Sequence, residues 1–98
     1  MSVIAELTIF PMDKGESVSA YVARALGVIR ASGLPHSLGP MGTCIEGEYG
    51  EVMAVVQGCV EALAADCNRI NANIKLDIRR DREGGLTAKP ASVMAKLG

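Results

Sequence analysis

The sequence contains few aromatic residues, with one Phe, two Tyr and no Trp among its 98 residues. Because hydrophobic residues make up 49% of the chain, a packed core is still expected, and aliphatic side chains and methionine have to build it. A chain of this length is long enough for one domain and too short for two. We therefore treat residues 1–98 as a single domain.

The sequence also has no marked excess of positive or negative charge and no long apolar run. The ten basic and eleven acidic side chains nearly cancel, so the overall charge favours neither nucleic acid nor an anionic membrane as a partner. The apolar runs are far shorter than the roughly 20 residues that span a bilayer. No basic region precedes the first apolar stretch, so no signal peptide is predicted and a cytoplasmic location is expected.

Histidine and paired cysteines are scarce as well. The three cysteines, Cys44, Cys59 and Cys67, include no CxxC pair, and an odd number cannot all pair within one chain. Inert structural thiols are therefore favoured, and no metal site or cofactor is predicted. A redox or metal role is the alternative, with His36 as the only histidine ligand.

Hydrophobic periodicity predicts seven elements. Strict alternation indicates strands over 3–10 and 70–78, and the Pro- and Gly-rich stretch between 34 and 48 indicates a hairpin with strands over 35–39 and 43–48. One-sided apolar stripes predict helices from Ser17 or Ser19 to Gly33, from Tyr49 or Glu51 to Asp66, and over 86–97. Either serine is expected to cap the first helix, and Gly33 to end it.

This order predicts an α+β protein with a ferredoxin-like βαββαβ sandwich, in which two helices cover one face of a four-stranded antiparallel sheet, plus a short C-terminal helix. The apolar rows of the first and last strands, Val3 to Ile9 and Ile70 to Ile78, should face the helices. The opposite face combines Ile4 and Phe10 with polar residues. Exposed apolar patches usually mark interfaces, so we expect a homo-oligomer whose sheets associate face to face or edge to edge. The alternative is a monomer whose C-terminal helix covers this face.

The segment from Gly39 to Gly47 is the strongest candidate for a functional site. Gly39 and Gly42 allow a flat ligand or another backbone to approach closely. Thr43 offers a hydroxyl and Glu46 an acceptor-only carboxylate. A ligand-binding loop and a merely structural hairpin both fit this pattern.

Other patterns in the sequence give weaker indications of a functional site. Glu46 and Glu48 share one face of a strand and could act as an acid–base pair, and His36 could act as a base, yet solvated side chains explain both. A basic cluster formed by Lys75, Arg79, Arg80 and Arg82 fits an RNA-recognition domain only if aromatic residues line the central strands. Phe10 alone meets that requirement, so no nucleic-acid partner is predicted.

Four stretches of the chain resemble the small thiamine-binding, YkoF-like protein family. They are 5–11 (AELTIFP), 17–25 (SVSAYVARA), 38–47 (LGPMGTCIEG) and 74–81 (IKLDIRRD). The likeness follows nearly the whole chain in order, and the third stretch is its most specific motif.

The resemblance implies a cytoplasmic homo-oligomer, a dimer or tetramer, that binds thiamine or hydroxymethylpyrimidine without catalysing a reaction. It implies the following ligand-binding residues: Phe10, Ser37, Gly39, Met41, Gly42, Thr43, Glu46 and Asn73. Glu46 would meet the cationic thiazolium or the pyrimidine amino group, and Met41 or Phe10 would pack on a ring. The alternative function is a regulatory or protein-interaction module that uses the open sheet face.

Overall fold

The computed structural model describes residues 1–81 and 85–98. Arg82 of the basic cluster named above lies outside the described residues. The elements follow in the order β1 (Ser2–Pro11), α1 (Ser19–Ser32), β2 (His36–Leu38), β3 (Thr43–Glu48), α2 (Tyr49–Ala64), β4 (Ile70–Arg79) and α3 (Gly85–Leu97). Within the described ranges, none of these helices is both long and apolar enough to cross a membrane.

The four strands form one antiparallel sheet in the order β2-β3-β1-β4. Strand β1 is central, pairing with β3 from Ser2 to Leu7 and with β4 along its whole length. This arrangement confirms the predicted βαββαβ class. Strand β4 pairs with β1 on one side only among the described residues, so it forms one edge of the sheet.

The core lies between α1, α2 and the helix side of β1. Alternate residues of β1 are buried there, from Val3 at 0% exposure to Ile9 at 6%, because successive side chains of a strand point to opposite faces. The apolar stripe of α2 is also buried in full, and it consists of Val52, Val55, Val56, Cys59 and Leu63. Aliphatic side chains, together with Cys59 and Cys67, thus form a core without a buried aromatic residue among the described residues.

The two ends of α1 differ in how well the sequence predicted them. Gly33 has φ 75° and ends the helix in the left-handed conformation, as expected. The predicted serine cap is wrong, because Val18 occupies the N-cap position and Ser19 is already the first helical residue. Backbone contacts replace the hydroxyl, since the Val18 carbonyl accepts hydrogen bonds from the N–H groups of Tyr21 and Val22.

The apolar row of β4 faces the helix side, as its register with β1 shows: Leu76 lies opposite Ala5, and Ile74 opposite Leu7. Unlike the row of β1, it is not fully covered. Ile74 is 41% exposed and Ile78 is 46% exposed. The reason is the edge position, because α1 and α2 pack over the centre of the sheet and leave the far side of β4 uncovered.

Helix α3 lies on the opposite, open face of the sheet. Gly85 sits against Ile4, where an added Cβ would come 2.9 Å from the Ile4 side chain. Lys89 forms an ion pair with Asp77 of β4. The C-terminal helix therefore covers part of the open face, as the monomer alternative predicted. Every residue from Pro90 onward is nevertheless exposed.

The close approach of α1 and α2 provides a test of the packing. A Cβ on Gly58 would lie 3.0 Å from Cγ1 of Val28, whereas one on Gly50 of the same helix would meet nothing within 4 Å. We expect Gly58→Val to lower the free energy of unfolding by about 1–3 kcal/mol, because it overpacks the helix contact. The matched variant Gly50→Val should change it little. Urea denaturation of both variants measures the difference, and equal stabilities would contradict this account.

An ion pair between Arg24 of α1 and Asp66, in the turn after α2, predicts a pH effect on stability. Arg24 Nη1 lies 2.7 Å from Oδ1 of Asp66, and this hydrogen bond lowers the pKa of Asp66 below its usual 3.8. A carboxyl whose pKa is lower in the folded state stabilises that state at pH values above its unfolded-state pKa. This contribution is lost as the pH falls through the folded-state pKa.

Asp66→Asn should therefore remove part of the stability difference between pH 7 and pH 3, measured by urea denaturation at each pH. Asp81→Asn is the control, since the Asp81 side chain is 84% exposed and 3.8 Å from Arg79. If stability falls between pH 7 and pH 3 by the same amount in Asp66→Asn and in the unmutated protein, the ion pair adds no stability.

Candidate functional site

A pocket of about 240 Å³ lies between α1, the end of β1 and the loop of the β2–β3 hairpin. We call it the hairpin pocket. Strand β1 contributes residues 7–10 to its wall and the hairpin contributes residues 38–43. Helix α1 closes the other side with Val18, Val22, Ala25, Leu26 and Ile29. Pockets for small molecules usually measure about 300–1,000 Å³, so this volume fits a single ring with its substituents.

Two glycines bring the hairpin loop close to β1. The Gly39 N–H donates to the Gly42 carbonyl at 2.8 Å, and the Thr8 hydroxyl donates to the Met41 carbonyl at 2.9 Å. A Cβ on Gly42 would lie 3.0 Å from Thr8 Oγ1 and 3.2 Å from the Leu7 carbonyl. The loop therefore needs glycine for space, because another backbone approaches it, and this approach forms the mouth of the pocket.

The hairpin pocket is apolar and uncharged. No charged side chain occurs among the described residues that line it. Thr43 is 7% exposed and faces the helix side opposite Leu7, so its hydroxyl can donate or accept on the wall of the pocket. At the mouth, Met41 is 83% exposed and Leu38 is 59% exposed. Such a wall suits a neutral, flat ligand with a few hydrogen-bonding groups.

Five of the eight predicted ligand-binding residues line this pocket: Phe10, Gly39, Met41, Gly42 and Thr43. The other three, Ser37, Glu46 and Asn73, lie on the open face of the sheet, since their register partners are Cys44, Ile4 and Thr8 respectively. Thr43 and Glu46 are three residues apart on one strand, and their side chains therefore point to opposite faces. Within one subunit they do not form a common site.

Glu46 has a partner within the chain. Its side chain is buried, with 8% of the residue exposed, and Oε2 accepts the backbone N–H of Leu86 at 3.3 Å. A carboxylate at this position satisfies one of the unpaired N–H groups that begin a helix and interacts favourably with the positive end of its dipole. Glu46 thus anchors the start of α3 to the sheet.

The cysteines and the histidine lie apart from the hairpin pocket lining. None of the three cysteines forms a disulfide, and burial raises the pKa of the Cys59 thiol to about 11. His36 Nδ1 lies 2.9 Å from the Leu34 carbonyl. Within residues 1–81 and 85–98, no group of three His, Cys, Asp or Glu side chains is placed to hold a metal ion.

Sequence reasoning missed the contribution of α1 to the pocket. The helical spacing of Val22 and Leu26 is typical of a core stripe, yet they are only half-buried and line the pocket wall.

The chain matches the sequence profile of the thiamine-binding protein family over residues 5–94. A UPF0045 protein of Mycobacterium bovis is 45% identical over 94 residues, which cover 95% of this chain and 92% of the relative. The chain belongs to the thiamine-binding protein family. A further relative, from Bacillus subtilis, is 40% identical over 100 aligned positions, which cover 96% of each chain.

One solved structure supports the same family assignment, and a second shares the fold. A protein of Methanocaldococcus jannaschii superposes with a TM-score of 0.88 at 31% identity, covering 95% of this chain and 96% of that one. A Thermotoga maritima protein that carries a provisional assignment to thiamine biosynthesis or salvage superposes with a TM-score of 0.79. It is 20% identical, with coverage of 93% and 99%, so this likeness shows the shared fold alone.

Proposed function

We propose that this protein binds a small pyrimidine, either hydroxymethylpyrimidine or the pyrimidine half of thiamine, in the hairpin pocket without catalysing a reaction. The observation that carries the proposal is the uncharged, ring-sized pocket, which is built around the most specific family motif. Membership of a family named for thiamine binding supplies the ligand class. The expected cytoplasmic location stays a prediction.

The chemistry of the wall favours the pyrimidine half over the thiazolium half. Moving a cation into an apolar pocket without a paired charge is costly, and no described residue of the lining could supply that charge. A neutral aminopyrimidine can instead form a hydrogen bond with the Thr43 hydroxyl. We therefore place the thiazolium of intact thiamine outside the mouth, in contact with water.

The exposed side chains at the mouth provide a face for the ring. Met41 is unbranched and flexible, and a thioether packs favourably against aromatic rings. Met41 could cover one face of a flat ligand and become buried itself. This arrangement compensates for the scarcity of aromatic residues in the chain.

The alternative function, a partner-binding module on the open sheet face, has less support. Helix α3 already occupies part of that face through Gly85 and Lys89. The remaining surface there is mainly polar, and a polar face offers little apolar area for an outside protein to cover.

The ligand proposal is tested by isothermal titration calorimetry with hydroxymethylpyrimidine and with thiamine. Both should bind, with hydroxymethylpyrimidine retaining most of the affinity of thiamine. Thr43→Val should weaken both by about 0.5–1.5 kcal/mol, the usual contribution of a neutral hydrogen bond. Thr87→Val, a matched change of an exposed threonine on α3, should leave both affinities unchanged.

Two outcomes would contradict this site. Absence of heat with both ligands at high micromolar concentration would exclude the ligand class. A loss of affinity in Glu46→Gln, with full affinity in Thr43→Val, would instead move the site to the open face of the sheet, where Glu46 lies.

We also propose that the protein works as a homo-oligomer. The support is the uncovered row of β4, where Ile74 and Ile78 lie on an edge strand of ten residues. Unprotected edge strands pair readily with other chains. A second copy could extend the sheet at this edge and bury the row.

Native mass spectrometry measures the assembly directly. We expect dimers or larger even assemblies at micromolar concentration, and we expect Ile74→Lys to shift the population towards monomers, because a charge on the edge opposes pairing. Val60→Lys is the control, a partly exposed position on α2 rather than on the edge. A monomeric unmutated protein at tens of micromolar would rule the oligomer out.

A further inference from the structure

The main chain of Ile9 lies where β1 extends beyond the end of its partner β3. Strand β1 runs to Pro11, whereas its pairing with β3 ends with Leu7 opposite Thr43. If the same register continued, Ile9 would lie opposite Met41, which is no longer part of β3. Ile9 is also one of the residues that line the hairpin pocket. Its backbone groups therefore border the candidate ligand site.

A backbone hydrogen bond at the end of β1 fixes the direction of these groups. In an antiparallel pair of strands, residues that exchange backbone hydrogen bonds alternate with residues that do not. The Met12 N–H donates to the Arg69 carbonyl at 2.8 Å, one step beyond the last pair of β1 and β4. Even-numbered residues of β1 therefore bond to β4. The N–H and C=O of Ile9, an odd-numbered residue, point to the opposite side, where the hairpin lies.

The hairpin leads independently to the same orientation. The Gly39 N–H donates to the Gly42 carbonyl at 2.8 Å, so the backbone groups of Gly42 face β2. Those of the next residue, Thr43, face β1, where Thr43 lies opposite Leu7. Leu7 and Ile9 are two residues apart on one strand, so both direct their backbone groups to the hairpin side. Leu7 has a partner there in β3, and Ile9 is next in the series.

The main chain of Ile9 has no hydrogen-bonding partner among residues 1–81 and 85–98. The Met41 carbonyl, which would be its partner in register, instead accepts the Thr8 hydroxyl at 2.9 Å. Ile9 is only 6% exposed, and buried N–H and C=O groups without a partner are costly and uncommon. This pair of groups therefore indicates a place where a bound molecule completes the hydrogen bonds of the sheet.

The two groups define the kind of molecule that fits. The N–H and C=O of one strand residue are a donor and an acceptor side by side, and a partner residue satisfies both at once. An aminopyrimidine offers the complementary pair, because a ring nitrogen accepts and the neighbouring amino group donates. Such recognition needs no charged side chain, which agrees with the uncharged lining of the pocket.

We propose that the main chain of Ile9 is the recognition element of the hairpin pocket. Its N–H donates to a ring nitrogen of the ligand, and its carbonyl accepts from the adjacent amino group. The ligand takes the place that Met41 would hold if β3 continued. Thr8 is a positioning residue, because its hydroxyl binds the Met41 carbonyl and keeps that carbonyl from the Ile9 N–H.

This inference rests on the proposed function and narrows its ligand class. The pocket selects a flat ring that carries a hydrogen-bond donor next to an acceptor. Because main-chain atoms make the contact, the side chain at position 9 can serve the core while the backbone serves the ligand.

Backbone amide NMR with hydroxymethylpyrimidine tests the contact at the atom concerned. In the free protein, the Ile9 amide hydrogen should exchange with solvent faster than those of Leu7 and Phe10, whose strand partners are in place. Saturation with the ligand should slow exchange at Ile9 by about tenfold or more, because the N–H then exchanges only when the ligand leaves. The Leu7 and Phe10 amides are internal controls and should change little.

A matched ligand tests the carbonyl contact. The analogue of hydroxymethylpyrimidine that lacks only the amino group should bind about tenfold more weakly in calorimetry, because the Ile9 carbonyl loses its donor. Both compounds keep the ring and its other substituents, so their contacts with the apolar wall are the same.

Two variants of Thr8 test its positioning role. Thr8→Val removes the hydroxyl and frees the Met41 carbonyl to take the Ile9 N–H, so affinity for hydroxymethylpyrimidine should fall roughly threefold or more. Thr8→Ser is the matched control, since it keeps the hydroxyl, and should bind as the unmutated protein does. Thermal unfolding shows that both variants are folded.

Four results would overturn the proposal at different points. If hydroxymethylpyrimidine binds while the Ile9 amide gains no protection, the pocket function stands and the Ile9 contact is wrong. Equal affinity for the analogue without the amino group excludes the carbonyl contact in the same way. Equal affinities of Thr8→Val and Thr8→Ser remove the positioning role of Thr8. Absence of heat with hydroxymethylpyrimidine contradicts the proposed function itself, and the inference with it.

Discussion

Burial of one side of β1 is the interaction on which the rest of the structure depends. Strand β1 pairs with β3 on one side and with β4 on the other, and its alternate residues from Val3 to Ile9 form the floor of the core. Each square ångström of apolar surface removed from water contributes about 25 cal/mol. With few aromatic side chains available, this floor and the stripe of α2 supply most of that burial.

The hairpin pocket follows from where this packing stops. Ala25 and Ile29 of α1 are buried against the core, whereas Val22 and Leu26 are only half-covered and face the pocket. On the other side, Gly42 lets the hairpin loop approach β1 more closely than any other residue could. The half-covered side of α1 and the close hairpin loop together leave an apolar gap of ring size.

The two faces of the sheet have separate roles in the proposed function. The pocket lies on the helix side, and the anchored part of α3 lies on the open side through Glu46, Ile4 and Asp77. Strand β4 forms one edge of the sheet and therefore borders both of its faces. The proposed ligand site and the proposed edge contact therefore involve different side chains.

The local pattern of apolar and polar residues predicted much of this structure. Alternation and helical stripes were enough for the element order, the α+β class and the buried stripe of α2, because burial on one face imposes a period of 2 or 3.6 on the sequence. The motif around Gly39 and Gly42 likewise marked a close approach, and five of the residues predicted to bind the ligand do line one pocket.

Only the tertiary structure determined the contacts between residues that lie far apart in the sequence. The Glu46 carboxylate faces Leu86, 40 positions away, and no local pattern records that pairing. The exposure of Ile74 and Ile78 depends on which strands the helices cover, whereas alternation shows only which side a residue faces. The same holds for residues 90–98 at the end of α3, where Val93, Met94 and Leu97 are exposed although their helical spacing alone is typical of a buried stripe.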